Sequence, residues 1–157
     1  MSVRTLRIVG DELLRKRARE VTEINDRIIQ LLDDMAETMR HMNGVGLAAP
    51  QVGVLRRVAV VDVGDGLIEL INPVLLDEEG EEICVEGCLS VPDYVGEVKR
   101  PTKITVRALD RDGEEIEIQA EGYAARAICH EMDHLDGVLF LDRAENIMEK
   151  EKQEEQE

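Results

Sequence analysis

The segment from residue 123 to residue 135, YAARAICHEMDHL, is apolar on most sides of a helix and yet carries two histidines and two acids. A helix that is apolar all round is usually buried, so the rest of the chain has to fold around it. His130 and His134 are four residues apart and therefore project from one face, where both imidazoles can reach one metal ion. Glu131 is placed to move a proton on a metal-bound water. Ionisable groups on a buried helix are costly unless they are paired or bound to metal, so we predict a metal centre here.

The composition indicates one compact aliphatic domain and opposes nucleic-acid binding. The chain has 157 residues, 43% of them hydrophobic, but only two tyrosines and one phenylalanine. Its net charge of −16 opposes contact with phosphate backbones and anionic membranes. Three irregularly spaced cysteines favour a reducing compartment, and the sequence shows neither a transmembrane run nor the apolar core of a signal peptide. We expect a cytoplasmic protein that binds neither membranes nor nucleic acid directly.

The first part of the chain predicts a short turn, a helix and a loop. Asp11 can cap a helical turn over residues 12–16. Apolar residues recur at three- and four-residue steps over 25–42, which predicts an amphipathic helix capped by Asn25 or Asp26. The following stretch, GVGLAAPQ at 44–51, is small and apolar, and we predict an irregular loop that a ligand can approach closely.

Most of the remaining residues before the buried helix favour strands. Glycine-containing turns separate alternating apolar runs, which predicts antiparallel hairpins. The predicted strands are 58–63, 67–71, 74–76 after a break at Asn72-Pro73, 82–86, 103–109, 115–120 and 138–141. We predict a turn at 77–80, an irregular region around Pro92, Gly96 and Pro101, and a frayed polar helix over about 143–157. The predicted class is α+β: antiparallel β-sheets packed around a buried central helix carrying HExxH, with an N-terminal amphipathic helix and a C-terminal helix, in one domain of residues 1–157.

A catalytic metal site normally needs a third protein ligand and an open position, and the cysteines are the first candidates. Cys129 adjoins His130 on the helix and points about 100° away from it, so we predict a packed thiol. Cys84 lies in the middle of a predicted strand, where packing is again favoured. Cys88 lies in EGCLS, at an accessible bend after that strand, and is the preferred third ligand.

Two other interpretations remain open from the residues alone. A zinc peptidase would take its third ligand from the acids downstream of the helix, which are Asp136, Asp142 and Glu145, and would leave Cys88 without a role. A structural metal site would need a fourth protein ligand from Cys129 or Cys84 and would leave Glu131 idle.

Asp133, on the same helix, has two possible roles. It can orient a ligand histidine as a hydrogen-bond acceptor. It can also pair with a basic group such as Arg100 or Arg143, which we favour because buried carboxylates are usually paired.

Three stretches together resemble the motifs of the peptide deformylase family. GVGLAAPQ at 44–51 resembles the family's GxGLAAPQ, EGCLS at 86–90 matches its second motif, and HEMDH at 130–134 resembles its HExDH. The motifs occur in the family's order, and the resemblance extends from the N-terminal helix to Leu141. HExxH alone is shared with many zinc peptidases, whereas EGCLS with GxGLAAPQ upstream is highly specific.

The resemblance implies a metal-dependent hydrolase that removes the formyl group from the N-terminal formyl-methionine of newly synthesised polypeptides and releases formate. It implies Fe²⁺ as the cofactor, with Zn²⁺ or Ni²⁺ able to substitute. The implied metal ligands are Cys88, His130 and His134. A metal-bound water would then attack the formyl carbon while Glu131 acts as general acid/base.

The resemblance also implies how the substrate is held. Gln51 and the backbone N–H of Leu89 would bind the developing oxyanion. The implied substrate-binding residues are Val45, Gly46, Glu86 and Gly87.

The implied partners are nascent N-formyl-methionyl polypeptides. Some family members carry a longer, basic C-terminal helix that docks on the ribosome. Residues 149–157 of this chain are mostly acidic and would be repelled by ribosomal RNA. We therefore expect at most transient proximity to the ribosome, and a monomer.

Overall fold

The structure, a computed structural model, describes residues 2–150 and contains two antiparallel sheets with three α-helices in that range. The helices are α1 (Asp26–His41), α2 (Gly122–Leu135) and α3 (Phe140–Arg143), and single 3-10 turns occur at Glu12–Arg15 and Ala49–Val52. The strands are β1 (Gly46–Ala48), β2 (Val58–Val61), β3 (Ile68–Glu79), β4 (Glu82–Cys88), β5 (Val91–Arg100), β6 (Lys103–Leu109), β7 (Glu115–Glu121) and β8 (Ile147–Glu149). The α+β class is confirmed. No helix within residues 2–150 is long and apolar enough to cross a membrane.

The larger sheet lies between the two long helices. Its strand order is β1-β2-β3-β6-β7. Side chains of β2 alternate between the helices: Val58 and Val60 pack with the apolar face of α1, whereas Ala59 and Val61 pack with α2. All four residues are therefore buried, which explains why β2 is a continuous apolar run and not an alternating one.

The central helix is buried as its composition predicted. Ala125, Ile128 and Leu135 have no exposed surface and pack against the larger sheet. The smaller sheet has the order β4-β5-β8. Phe140 of α3 packs there with Val91 and Val98 of β5. The strands β1 and β4 are each at the edge of their sheet.

The local predictions that rest on periodicity and capping are confirmed. The helix predicted over 25–42 is α1, and the Asn25 side chain accepts from the backbone N–H groups of Arg27 and Ile28. The Asp11 side chain caps the first 3-10 turn by accepting from the N–H of Leu13. The predicted hairpin of 103–109 and 115–120 is the β6–β7 pair.

Two regions predicted as irregular or broken are strands. The prediction of a break at Asn72 is wrong, because β3 continues to Glu79 with a bulge between Ile71 and Val74. Asn72 takes a left-handed backbone there (φ 51°), and its side-chain amide exchanges two hydrogen bonds with the backbone of Val21. The turn predicted at 77–80 therefore begins only after Glu79.

The region around Pro92 and Gly96 is also not irregular, because it forms the ten-residue strand β5. The loop predicted over 44–51 is likewise ordered, as β1 followed by a 3-10 turn.

The predictions after the central helix are wrong in type. The strand predicted at 138–141 is replaced by the short helix α3. The helix predicted over 143–157 is replaced, within the described part, by β8, which pairs with β5 at Tyr94, Val95 and Gly96. Residues 151–157 of that prediction lie outside the described residues.

Candidate active site

One cysteine and two histidines come together where α2 meets the end of β4. The ligand atoms of Cys88, His130 and His134 all lie within 4.8 Å of one another, and Cys88 Sγ is 3.3 Å from His134 Nε2. The two imidazole rings are 4.9 Å apart between centroids. A soft sulfur and two imidazoles form a donor set that suits iron(II) or zinc, so the residues fit a metal ion.

The Glu86 side chain determines which nitrogen of His130 is free. Glu86 Oε1 lies 3.0 Å from His130 Nδ1. Burial by itself would raise the pKa of Glu86, but hydrogen bonds from Arg100 and His130 outweigh it and lower the pKa to about 2. The carboxylate is therefore ionised and can only accept, so Nδ1 carries the proton and Nε2 is left for a metal.

A buried chain of charges continues from Glu86 to the surface. Arg100 is 4% exposed and donates to both Glu86 oxygens at 2.8 and 3.0 Å. It also donates to Asp133 Oδ2 at 2.6 Å, and Arg143 donates two hydrogen bonds to the same carboxylate. Asp133 therefore pairs with Arg100 and Arg143, as the favoured prediction had it, and the carboxylate that orients His130, a candidate metal ligand, is Glu86.

Glu131 lies in the groove with one carboxylate oxygen unpaired. Its Oε1 is buried and has no hydrogen-bond partner within residues 2–150. Burial raises the pKa of Glu131 to about 7, despite the lowering effect of His130. An unpaired buried carboxylate next to three candidate metal ligands is suited to exchanging a proton with a water or substrate group there.

Gly46 of β1 leaves the space that the Glu131 carboxylate fills. A Cβ atom at Gly46 would come 2.4 Å from Glu131 Oε2. We expect Gly46→Ala to fold normally, because a flexible side chain can move aside, but to displace the carboxylate and lower kcat about 10²-fold. Steady-state kinetics and thermal unfolding of the variant test this. Gly64→Ala is the control for loss of stability: Gly64 has open space around it but a φ of 112°, so alanine there should lower the unfolding midpoint through backbone strain and leave kcat unchanged. Equal kcat losses in both variants would contradict the prediction.

The turn that joins β4 to β5 places several groups at once. Cys88 pairs with Val91, so Leu89 and Ser90 are the two residues of the turn. Gln51, which is 1% exposed, reaches this turn from the 3-10 helix: its Nε2 donates to Ser90 Oγ at 3.1 Å and lies 3.6 Å from Cys88 Sγ. An amide donor and a turn backbone therefore lie beside the candidate metal site.

A groove of about 510 Å³ brings nearly all the predicted residues together. His134 is the exception, because it is 1% exposed and lies behind the groove wall. The Glu86 carboxylate faces inward to Arg100 and His130, which leaves mainly its backbone for a ligand. The predicted residues that line the groove are Val45, Gly46, Gln51, Glu86, Gly87, Cys88, Leu89, His130 and Glu131.

Within residues 2–150, none of the residues required by the other two interpretations, Glu145 included, joins the cluster of Cys88, His130 and His134, and most are engaged elsewhere. Asp136 pairs with Arg57, and Asp142 pairs with Arg15. Cys84 Sγ accepts from Arg126 at 3.1 Å. Burial raises the pKa of Cys129 to about 11, as expected for a packed thiol.

Two parts of the site were not predicted from the sequence. The bond from His130 to Glu86 joins residues 44 apart. Ser90 is fully buried and holds Gln51. A signal existed for Ser90, because a polar residue between Leu89 and Val91 needs a partner if that turn is buried.

The comparisons with known proteins agree with one another. The family model described as polypeptide deformylase matches residues 3–150. A relative named peptide deformylase from Thermoanaerobacter pseudethanolicus is 57% identical over 155 residues, covering 99% of this chain and 98% of the relative.

Solved structures of similar proteins have the same fold. The peptide deformylase of Thermotoga maritima superposes with a TM-score of 0.90 at 44% identity, covering 93% of this chain and all of that one. The enzyme of Synechococcus elongatus, solved in complex with actinonin, gives a TM-score of 0.88 at 43% identity, covering 90% of this chain and 79% of that one.

Proposed function

Because the chain belongs to the polypeptide deformylase family and is thus an enzyme that removes an N-terminal formyl group, we propose that its groove hydrolyses formyl-methionyl peptides with Glu131 as acid/base. The observation that carries this proposal is the arrangement of Cys88, His130 and His134 next to the unpaired Glu131 oxygen. All but His134 line one groove.

We propose that Cys88, His130 and His134 hold Fe²⁺, with Zn²⁺ or Ni²⁺ able to substitute. A divalent metal bound there supplies Lewis acidity, which lowers the pKa of water towards about 7. The donor set suits both iron and zinc, so the preference for iron follows from the family. Glu86 would keep His130 in the tautomer that ligation needs.

Glu131 transfers the protons of the reaction, and two hydrogen-bond donors of the chain bind the developing oxyanion. Glu131 takes a proton from the attacking water as the water oxygen bonds to the formyl carbon. Gln51 Nε2 and the backbone N–H of Leu89 then hold the negative charge on the former carbonyl oxygen. Glu131 returns the proton to the methionine nitrogen, and the C–N bond breaks to give the free amine and formic acid, which releases its proton to solvent or to the amine and departs as formate.

The two sheet edges beside the groove favour an extended peptide. The strand β1 is the edge of the larger sheet and β4 is the edge of the smaller one. We propose that the substrate backbone lies between Val45–Gly46 and Glu86–Gly87 as an added strand, which tolerates many sequences beyond the first residue. That tolerance suits an enzyme that acts on many nascent chains.

We further propose that the enzyme works as a cytoplasmic monomer near the ribosome. Its substrates are nascent polypeptides, and a thiolate ligand such as Cys88 is best kept in a reducing compartment. The acidic composition, with a net charge of −16, favours transient encounters over tight docking on RNA.

Formate release from formyl-Met-Ala-Ser tests the proposed function. The protein is loaded anaerobically with Fe²⁺, Zn²⁺ or Ni²⁺, the metal content is measured, and formate is quantified. We expect turnover in all three forms, with loss of activity in air for the iron form through the metal and Cys88. Acetyl-Met-Ala-Ser is the matched control: its extra methyl group should lower kcat/KM at least tenfold. No formate from fully metallated protein would falsify the proposal.

A further inference from the structure

The carboxamide of Gln51 is held at both ends. Its Oε1 accepts from the backbone N–H of Ala48 at 2.9 Å. Its Nε2 donates to Ser90 Oγ at 3.1 Å. Ala48 N–H can bond only to the oxygen end of an amide, so the nitrogen end must lie on the side of Ser90 and Cys88.

Ser90 decides where the second N–H of Gln51 is directed. An amide nitrogen carries two hydrogens in one plane, so an acceptor for one of them fixes the direction of the other. With one hydrogen on Ser90 Oγ, the other faces Cys88 Sγ, which lies 3.6 Å from Nε2 and is a weak acceptor because it is sulfur. A donor with so weak a partner is free to bond to a substrate oxygen beside the sulfur.

The backbone of Ser90 is itself fixed. Ser90 is fully buried, and its carbonyl accepts from the N–H of Val9 at 2.7 Å. It is also the second residue of the turn between Cys88 and Val91. The same turn therefore carries a candidate metal ligand, the backbone N–H of Leu89 and the acceptor that orients Gln51.

We propose that Ser90 is a positioning residue for deformylation: its hydroxyl accepts one Gln51 N–H and thereby aims the other at the oxyanion. This inference rests on the proposed role of Gln51 as an oxyanion donor. The hydroxyl does not touch the reacting atoms. It sets the direction of a hydrogen bond that strengthens as charge develops on the formyl oxygen, so it acts on kcat more than on substrate binding.

Kinetics of Ser90→Ala measure this effect. Because Ala48 still holds the oxygen end of Gln51, we expect kcat to fall about tenfold, less than the roughly 10²- to 10³-fold that removal of a whole donor costs. KM should stay within about twofold, and metal content should be unchanged, since only the transition-state contact is weakened. Ser90→Cys, with a larger and weaker acceptor, should give an intermediate kcat.

Thr38→Val is the matched control for loss of a buried hydroxyl. Thr38 is fully buried on α1, where its Oγ1 donates to the Asp34 carbonyl and accepts from the N–H of Arg4. Its loss should lower the thermal unfolding midpoint without changing kcat. If Thr38→Val lost as much kcat as Ser90→Ala at a similar drop in the unfolding midpoint, the loss would reflect stability alone and the proposal would be overturned.

A double-mutant cycle with Gln51→Ala separates the two claims. If Ser90 acts through Gln51, Ser90→Ala causes no further loss of kcat once Gln51 is alanine. If the tenfold loss persists in that background, the positioning role is wrong while the oxyanion role of Gln51 stands. If Gln51→Ala alone leaves kcat unchanged, Gln51 is not the oxyanion donor, and both claims fail.

Discussion

Glu131→Gln is expected to bind metal as the wild type does and to lose about 10³-fold in kcat. Glutamine keeps the size of the side chain but cannot take a proton from water, and general acid/base groups contribute roughly 10²- to 10⁴-fold. Glu131 is not part of the cluster of Cys88, His130 and His134, so the ligand set is intact. The measurement is formate release together with metal content per chain, on protein prepared in the same way as the wild type.

The control for Glu131→Gln is an equal change at an exposed glutamate. Glu117 lies on β7 and is exposed. Glu117→Gln removes the same charge from the same chain and should leave kcat unchanged. Metallated Glu131→Gln that turned over within tenfold of the wild type would show that another group carries the proton.

The sequence predicted which side chains come together in the site better than the contacts that hold them in place. The spacing of His130 and His134 follows from helix geometry, which is local, and the EGCLS and GxGLAAPQ motifs indicated Cys88 and Gln51. The contact between Glu86 and His130 joins a strand of one sheet to the central helix, across 44 residues. No local pattern determines such a contact.

The fold was predictable where local signals decide it. The bounds of β6 match the predicted 103–109, because a clean alternation is flanked by turns. The strand β5 was not predicted because a glycine such as Gly96 usually weakens or interrupts a strand. The need for glycine at this position comes from a residue far along the chain, since a Cβ at Gly96 would come 2.7 Å from the Cβ of Ala144. The strand β8, Ile147–Glu149, begins a segment that is helix-prone in sequence, and only its pairing with β5 makes it a strand.

Arg100→Met is expected to destabilise the fold by about 3–5 kcal/mol, the cost of removing one partner from a buried ion pair. The side chain of Arg100 is 3% exposed and lies between the carboxylates of Glu86 and Asp133, whose side chains are 9% and 13% exposed. Methionine fills much of the volume but brings no charge, so two acids would face each other in a poorly solvated site. Urea unfolding of the metal-free proteins gives the difference in the free energy of unfolding.

Arg143→Met is the matched control, because Arg143 contacts the same Asp133 carboxylate from the surface. Its side chain is 49% exposed, and water screens the pair, so we expect a loss of no more than about 1 kcal/mol. Asp133 also keeps Arg100 in that variant. Similar losses in the free energy of unfolding for Arg100→Met and Arg143→Met would mean that burial does not determine how much each ion pair stabilises the fold.

Arg100→Met should also weaken metal binding, because Arg100 holds Glu86 in place and Glu86 in turn holds His130. The Glu86 carboxylate accepts from His130 Nδ1 and can orient that ring only while Arg100 keeps the carboxylate in place. Loss of such a support typically costs about 10- to 100-fold in metal affinity, and we expect that range for Arg100→Met in a competition titration with a chelator. Adding Glu86→Gln removes one of the two carboxylates that lose Arg100 and should restore part of the stability, but it replaces the carboxylate on His130 and should leave metal affinity low. Recovery of both quantities together would show that Arg100 contributes only charge balance, with no part in orienting His130.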